Sequence, residues 1–195
     1  DRTFLADDAK FYEHWHGWRP NKSWDNWVVV PRSFDSGSSR VRREEFIQGK
    51  TFVHLADYAN EDRRRLVGLG IQHYVAQIFG ENLEWLDSDV ESLVHSDISP
   101  GNNQVTPDLN QAILDRGFYL HIKRPDRMFL WDLILTKQHG KSSQAEVIVD
   151  FVSKRPENMA AADKIGRTLL VDRVSAGLEG KSLDMAAFGA MAQLN

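Results

Sequence analysis

The densest run of chemistry-bearing side chains is His95-Ser96-Asp97-Ile98-Ser99-Pro100-Gly101-Asn102. Written HxDxxxxN, it sets an acid that could accept a hydroxyl proton on the same loop as an amide that could hold Mg²⁺, the chemistry of phosphoryl transfer. A loop so rich in Asp, Ser, Pro, Gly and Asn also reads as capped turns with no chemistry at all. His73 and Tyr74 stand side by side, and a neutral His73 imidazole facing a cavity would ligate haem iron. A core or surface histidine is the commoner outcome. His14-Trp15-His16 has the spacing of a strand-borne metal pair, but helical surroundings turn residues i and i+2 apart. Among the 195 residues there is no HExxH, no phosphate-binding P-loop pattern and no GxSxG.

Composition narrows the classes further. Cysteine is absent, which removes disulfides, thiolate metal sites, iron–sulfur clusters and cysteine nucleophiles. Hydrophobic residues make up 42% and charged residues 27%, proportions that support a buried core and not a disordered chain. A net charge of −4 and a pI near 6.0 supply no basic face for nucleic acid or anionic lipid. No apolar run reaches membrane-spanning length, and Asp1 to Asp8 lacks the charged and apolar regions of a signal peptide. The expectation is a cytoplasmic protein with no nucleic acid or membrane as partner.

The elements that must position these residues follow from periodicity. Phe11, Tyr12, Trp15 and Trp18 recur at helical spacing and predict an aromatic amphipathic helix over 7–18. Ser33 to Arg40 is loop by composition. Thr51 to Tyr58 predicts a strand and Ala59 to Asp62 a turn. Gly68 and Gly70 disfavour one long helix by about 2 kcal/mol, so 63–70 reads as strand and glycine turn before a helix over Ile71–Phe79 that stops at Gly80. Thr106-Pro107-Asp108 has the N-cap and the proline of a helix start, predicting a helix as far as Gly117. Strands over 118–123, 128–137 and 145–154 then form a meander. Its apolar face carries Phe129, Trp131, Leu133 and Leu135 beside Ala145, Val147, Val149 and Phe151. Helices over 157–178 and 183–194 complete an α+β chain.

That order resembles the layout of a PAS domain. Phe11-Tyr12-Glu13-His14-Trp15, Val30-Pro31-Arg32-Ser33, Arg64-Arg65-Leu66-Val67-Gly68-Leu69-Gly70-Ile71, Ile78-Phe79-Gly80 and Leu130-Trp131-Asp132-Leu133-Ile134-Leu135 resemble the pattern of the small stand-alone bacterial PAS-like family. The likeness covers residues 11 to 152 and departs from the pattern at the Pro-Arg-Ser turn and the long loop over 87–104. It implies an antiparallel sheet with covering helices, plus an N-terminal aromatic helix and C-terminal helices. The corresponding domains are 1–45, 46–154 and 155–195. It also implies a sensory or regulatory module, a homodimer, acting in signal transduction through contact with a signalling partner. The space between the sheet face and the helix over 71–79 is then the ligand site, lined by Tyr74, Ile78, Trp131, Leu133 and Val149 with His73 beside it. A small apolar ligand or haem would be the guest, and none is required.

The segment His95 to Asn102 resembles the catalytic loop of kinase-like phosphotransferases, which implies Asp97 as proton acceptor and Asn102 as a Mg²⁺ side chain. Val149-Asp150-Phe151 imitates the metal-binding Asp-Phe of that family. Against this, no glycine-rich loop or Val-Ala-x-Lys strand lies among the 94 residues before His95. A predicted helix and two predicted strands also separate Asn102 from Asp150. The sequence alone therefore points to a non-enzymatic regulatory module, with a small phosphotransferase using Asp97 and Asn102 as the alternative.

Overall fold

Phe11 and Trp15 are one helical turn apart and both lose all contact with water, at 1% and 2% exposure. They fix helix α1 (Arg2–Trp15) against the first of two units in this computed structural model, which describes residues 2–20, 24–34, 43–97 and 99–178. The units are residues 1–124 and 125–195, a division unlike the 1–45, 46–154 and 155–195 expected from sequence. The described chain is α+β.

In unit 1, Gly17 takes φ +80° and lets the chain reverse, so that Gly17 N–H donates to Val28 C=O at 2.8 Å and Val28 N–H to Trp18 C=O at 2.8 Å. Short strands follow: β1 (Val28–Val29), β2 (Ser33–Phe34), β3 (Arg43–Glu44) and β4 (Lys50–Thr51). A 3₁₀ segment (Phe52–Asp57) then leads to α2 (Asn60–Phe79). Strands β5 (Ser92–His95), β6 (Asn103–Val105), β7 (Gln111–Ile113) and β8 (Tyr119–Ile122) complete the unit. The sheet order is β1-β7-β6-β4, with β1 parallel to β7 and the remaining pairs antiparallel; β2 pairs with β3, and β5 with β8. Phe11, Trp15, Trp18, Val28, Val30, Leu69, Ala76 and Ile113 form its apolar core.

Unit 2 is helical: α3 (Arg124–Thr136) begins at the boundary, and α4 (Lys141–Ser153), α5 (Pro156–Ile165) and α6 (Arg167–Leu178) follow. Ala145 and Val149, four residues apart on α4, pack on Leu170, Val171 and Val174 of α6.

Several sequence expectations are corrected here. Residues 63–70 are not strand and turn but the first half of α2. The glycine penalty is outweighed because Leu66, Leu69, His73 and Ala76 bury one stripe of the helix. A side chain at Gly70 would also crowd the Gln111 amide, whose Nε2 lies 3.2 Å from where a Cβ would stand. Most of the strand expected over 51–58 is the 3₁₀ segment. The helix expected over 106–117 is the β6–β7 hairpin. Thr106 Oγ1 accepts from Asn110 N–H at 3.1 Å, and Leu109 adopts φ +59°, so the hydroxyl that would cap a helix closes a turn instead. The strands expected over 128–137 and 145–154 are α3 and α4. Their apolar residues are dense enough to satisfy both periods, and the burial of Ala145 and Val149 follows the helical one. The meander of the PAS-like layout is thus represented only by β8. The helix over 157–178 is two helices divided at Gly166, φ +88°. The helix expected over 183–194 lies outside the described residues.

Candidate functional site

Helix α2 carries the foundation of the site. Gln77 is completely buried, and its Oε1 accepts from the backbone N–H of His95 at 2.8 Å, pinning the end of β5. The His95 ring, 1% exposed, lies beside Phe11 with centroids 6.4 Å apart. Its Nε2 donates to Asp115 C=O at 3.2 Å. Burial pushes the His95 pKa down, with the nearby Arg116 cation adding to the effect, against an opposing pull from the hydrogen bond to Asp115. The imidazole is therefore a neutral, oriented strut.

Beyond His95 the chain turns outward. Asp97 Oδ1 accepts from Ser99 N–H at 3.1 Å and Oδ2 from Asn102 Nδ2 at 2.9 Å. The acid and the amide of the motif are thus side by side, with the Asp97 carboxylate exposed to solvent. Asn103 Nδ2 donates to Ser99 C=O at 2.9 Å, and Gln111 Nε2 donates to Asn103 Oδ1 at 2.8 Å, so a buried amide ladder supports the loop from below.

The β6–β7 hairpin returns the chain to the same place. Leu114 N–H donates to Asn102 C=O at 2.7 Å, and Asp115 follows at φ +49° with its side chain exposed. A non-glycine residue in the left-handed region is uncommon and is held there by its surroundings. Asp115-Arg116-Gly117 is an Asp-x-Gly turn beginning 13 residues after Asn102. Sequence reasoning missed it by looking to Asp150, which is on α4 in unit 2 and pairs with Arg167 at 2.8 Å. The available signal was the turn chemistry of Thr106-Pro107-Asp108 followed by the short apolar run Ala112-Ile113-Leu114, which leads directly into Asp-x-Gly.

Arg116 is fully buried. Its guanidinium grips Asp8 of α1 in bidentate fashion, Nε to Oδ1 at 2.8 Å and Nη2 to Oδ2 at 3.2 Å. Nη2 also reaches Pro31 C=O at 2.7 Å and Ser33 Oγ at 3.2 Å, and lies 3.3 Å from Glu44 Oε1. Tyr119 O–H donates to Asp8 Oδ1 at 2.5 Å. Burial alone would raise the Asp8 pKa, but the hydrogen bonds from Arg116, Ser33 and Tyr119 outweigh it and hold the carboxyl below its usual range. The same burial, together with the Asp8 carboxylate, drives the Tyr119 hydroxyl far upward.

Among the described residues, no three His, Cys, Asp or Glu side chains gather as a metal cage. Asp97 and Asn102 are joined side by side by their hydrogen bond, and the backbone of Leu114 ties the turn that carries Asp115 to the same loop. Mg²⁺ commonly takes one or two carboxylates and completes its shell with substrate phosphates and water, and Asp97, Asn102 and Asp115 carry oxygens of the kind such a shell uses.

The ligand residues expected from sequence are divided between the two units. His73 and Tyr74 line a cavity of about 410 Å³ in unit 1 with Gln77, Asn103 and Gln111. Ile78 is buried, and its carbonyl accepts from Ser92 Oγ at 3.3 Å. Trp131, Leu133 and Val149 belong to unit 2, and as helical residues they form no sheet face. His73 packs between Trp15 and Trp18, at 4.9 and 5.3 Å between centroids. Burial pushes its pKa down to about 3, with His95 and His14 adding a little. It is a neutral core histidine. His16 Nδ1 faces the backbone of Val30 while the His14 ring lies against Trp85, so these two form no metal pair.

No family model and no curated protein matches the chain. A solved structure of Rv3197 in complex with erythromycin, from Mycobacterium tuberculosis, is similar at 18% identity and a TM-score of 0.43, over 85% of this chain and 34% of that one. This chain thus spans about a third of that protein's length, and no helix among its described residues is long and apolar enough to cross a membrane.

Proposed function

We propose that unit 1 carries the acceptor and cation half of a kinase-type phosphoryl-transfer site, with a Mg²⁺–nucleoside triphosphate and a hydroxyl as its substrates. The observation that carries this reading is the pair of hydrogen bonds from Leu114 to Asn102 and from His95 to Asp115. They bring an HxDxxxxN loop and an Asp-x-Gly turn together, the two polar segments such a site requires. Asp97 accepts the proton of the attacking hydroxyl, an effect typically worth 10²–10⁴-fold in rate. The hydrogen bond from Asn102 holds that carboxylate in one rotamer. With a cation bound, the amide oxygen of Asn102, whose Nδ2 is engaged with Asp97, and the carboxylate of Asp115 would be the groups that hold it. A bound Mg²⁺ would neutralise charge on the phosphates during transfer.

Thermal unfolding with and without Mg²⁺–ATP tests the reading. At 100 times the dissociation constant, binding adds about 2.7 kcal/mol to the stability of the folded state. That shift should vanish in Asp115→Asn and whenever EDTA removes the cation. A wild-type chain that does not shift sinks the proposal.

A second reading has its own observation. The 410 Å³ cavity beside His73 and Tyr74 is within the size range of small-molecule sites, which favours a regulatory module that binds a small apolar ligand and passes its signal to a partner protein. Stabilisation by such a ligand would be indifferent to Mg²⁺ and to Asp115→Asn.

A further inference from the structure

Resting on the phosphoryl-transfer reading, the geometry points to Arg116 and Asp8 as positioning residues that couple the seating of α1 to cation–nucleotide binding at Asp115. Asp115 is fixed at three points. Its preceding neighbour Leu114 is hydrogen-bonded to Asn102, its own carbonyl receives His95, and its following neighbour Arg116 is anchored by side chain. The first two anchors lie within the segments that form the site. The third reaches out of them, to α1 through Asp8, to the β1–β2 connection through Pro31 and Ser33, and to β3 through Glu44.

An apolar side chain at 116 would need only a greasy pocket and would tolerate sliding. A buried guanidinium will not slide, since each of its donors must keep an acceptor or leave a charge uncompensated. The bidentate geometry fixes angle as well as distance. The left-handed backbone of Asp115 therefore depends on Asp8, 107 positions earlier in the chain. By thermodynamic reciprocity, whatever loosens α1 must weaken binding at Asp115, and binding at Asp115 must tighten α1 by the same factor.

The test is Mg²⁺–ATP affinity by calorimetry together with hydrogen exchange of the α1 amides, on the full chain and on Asp8→Asn and Asp115→Asn. In the wild type, saturating Mg²⁺–ATP should slow exchange across α1. Asp8→Asn should bind roughly tenfold more weakly, within the 5–150-fold range of such couplings, and should lose the ligand-dependent protection. Protection that responds to a distant ligand is not something a merely structural ion pair supplies. If Asp8→Asn is folded and binds as tightly as wild type while Asp115→Asn does not bind, the coupling is refuted and the phosphoryl-transfer reading survives. If the wild type itself does not bind, both fall. Should Asp8→Asn fail to fold, Tyr119→Phe removes a single donor to Asp8 and should show the same two effects at smaller size; unchanged affinity and protection there would overturn the coupling.

Discussion

The two units differ in how much polar surface they bury. Unit 2 packs small aliphatic side chains, Ala145 and Val149 against Leu170, Val171 and Val174, and buries the Arg127 side chain of α3, while its ion pairs Arg155–Asp126 at 3.3 Å and Arg167–Asp150 at 2.8 Å lie at the surface. Unit 1 buries Asp8, His73, Gln77, His95, Asn103, Gln111 and Arg116 among its aromatic residues. Burying polar groups is expensive unless each finds partners, and is no efficient route to stability. What it supplies is fixed geometry, since a hydrogen-bonded network has one good arrangement where an aliphatic core has several. Gln77, His95, Asn103 and Gln111 are bonded to or beneath the segments that carry Asp97, Asn102 and Asp115, and Arg116 follows Asp115 directly. The unit that could do chemistry is the one built for precision.

The largest effect that would break this contrast is at Arg116. Arg116→Met leaves the Asp8 and Glu44 carboxylates without their cation in a water-free site, and should cost about 3–5 kcal/mol. Arg167→Met in unit 2 removes a solvent-exposed pair and should leave the denaturation midpoint near that of the parent. Urea unfolding followed by tryptophan fluorescence reads unit 1, which holds Trp15, Trp18, Trp24, Trp27 and Trp85 of the six tryptophans. A double variant, Asp8→Asn with Arg116→Met, should recover part of the loss. Equal effects at 116 and 167 would contradict the comparison.

Acid should separate the units next. His73 remains neutral in the folded state down to about pH 3, whereas in the unfolded chain it takes up a proton near 6.5. Below pH 6.5 the unfolded state therefore binds more protons, and stability falls with pH until about 3, by up to roughly 1.4 kcal/mol per unit. The contribution is complete above pH 6.5. The depressed Asp8 carboxyl adds a further loss in the same direction, as pH falls from the ordinary carboxylate range through its own lowered value. Unit 1 should thus melt at markedly lower temperature at pH 4.5 than at pH 7.5, and His73→Gln should flatten the slope between them. A His73→Gln profile as steep as wild type would remove His73 from the account.

How much of this was readable in the residues differs by element. The aromatic stripe of α1 was legible because Phe11 and Trp15, one helical turn apart, are both buried; Trp18 is buried too, but beyond the end of the helix and the reversal at Gly17. The α+β class and strand β8 were legible too. Helices α3 and α4 were misread because Leu130-Trp131-Asp132-Leu133-Ile134-Leu135 is apolar at nearly every position and fits both periods. Half of the site, His95 to Asn102, stood out as a motif. Asp115 did not, because Arg116 occupies the centre of the turn where an aromatic residue would have drawn notice. Nothing local announces that Asp8, 108 positions away, neutralises Arg116.

Two glycines on one helix give the finest test of the contrast. Gly68 and Gly70 both weaken α2, and alanine at either should gain about 0.5–1 kcal/mol on helix propensity alone. At Gly68 a new Cβ would meet Trp24 at an ordinary 3.6 Å, so the gain should be realised. At Gly70 it would stand 3.2 Å from Gln111 Nε2 and 3.3 Å from Oε1. Gln111 cannot retreat freely, because its amide holds Asn103 under the Asp97 loop. Gly68→Ala should therefore raise the melting temperature, while Gly70→Ala should leave it unchanged or lower it and weaken Mg²⁺–ATP binding through the loop. If both substitutions stabilise equally and binding is untouched, the amide ladder beneath the loop is soft, and precision at Asp97 must come from the α1–Arg116 side alone.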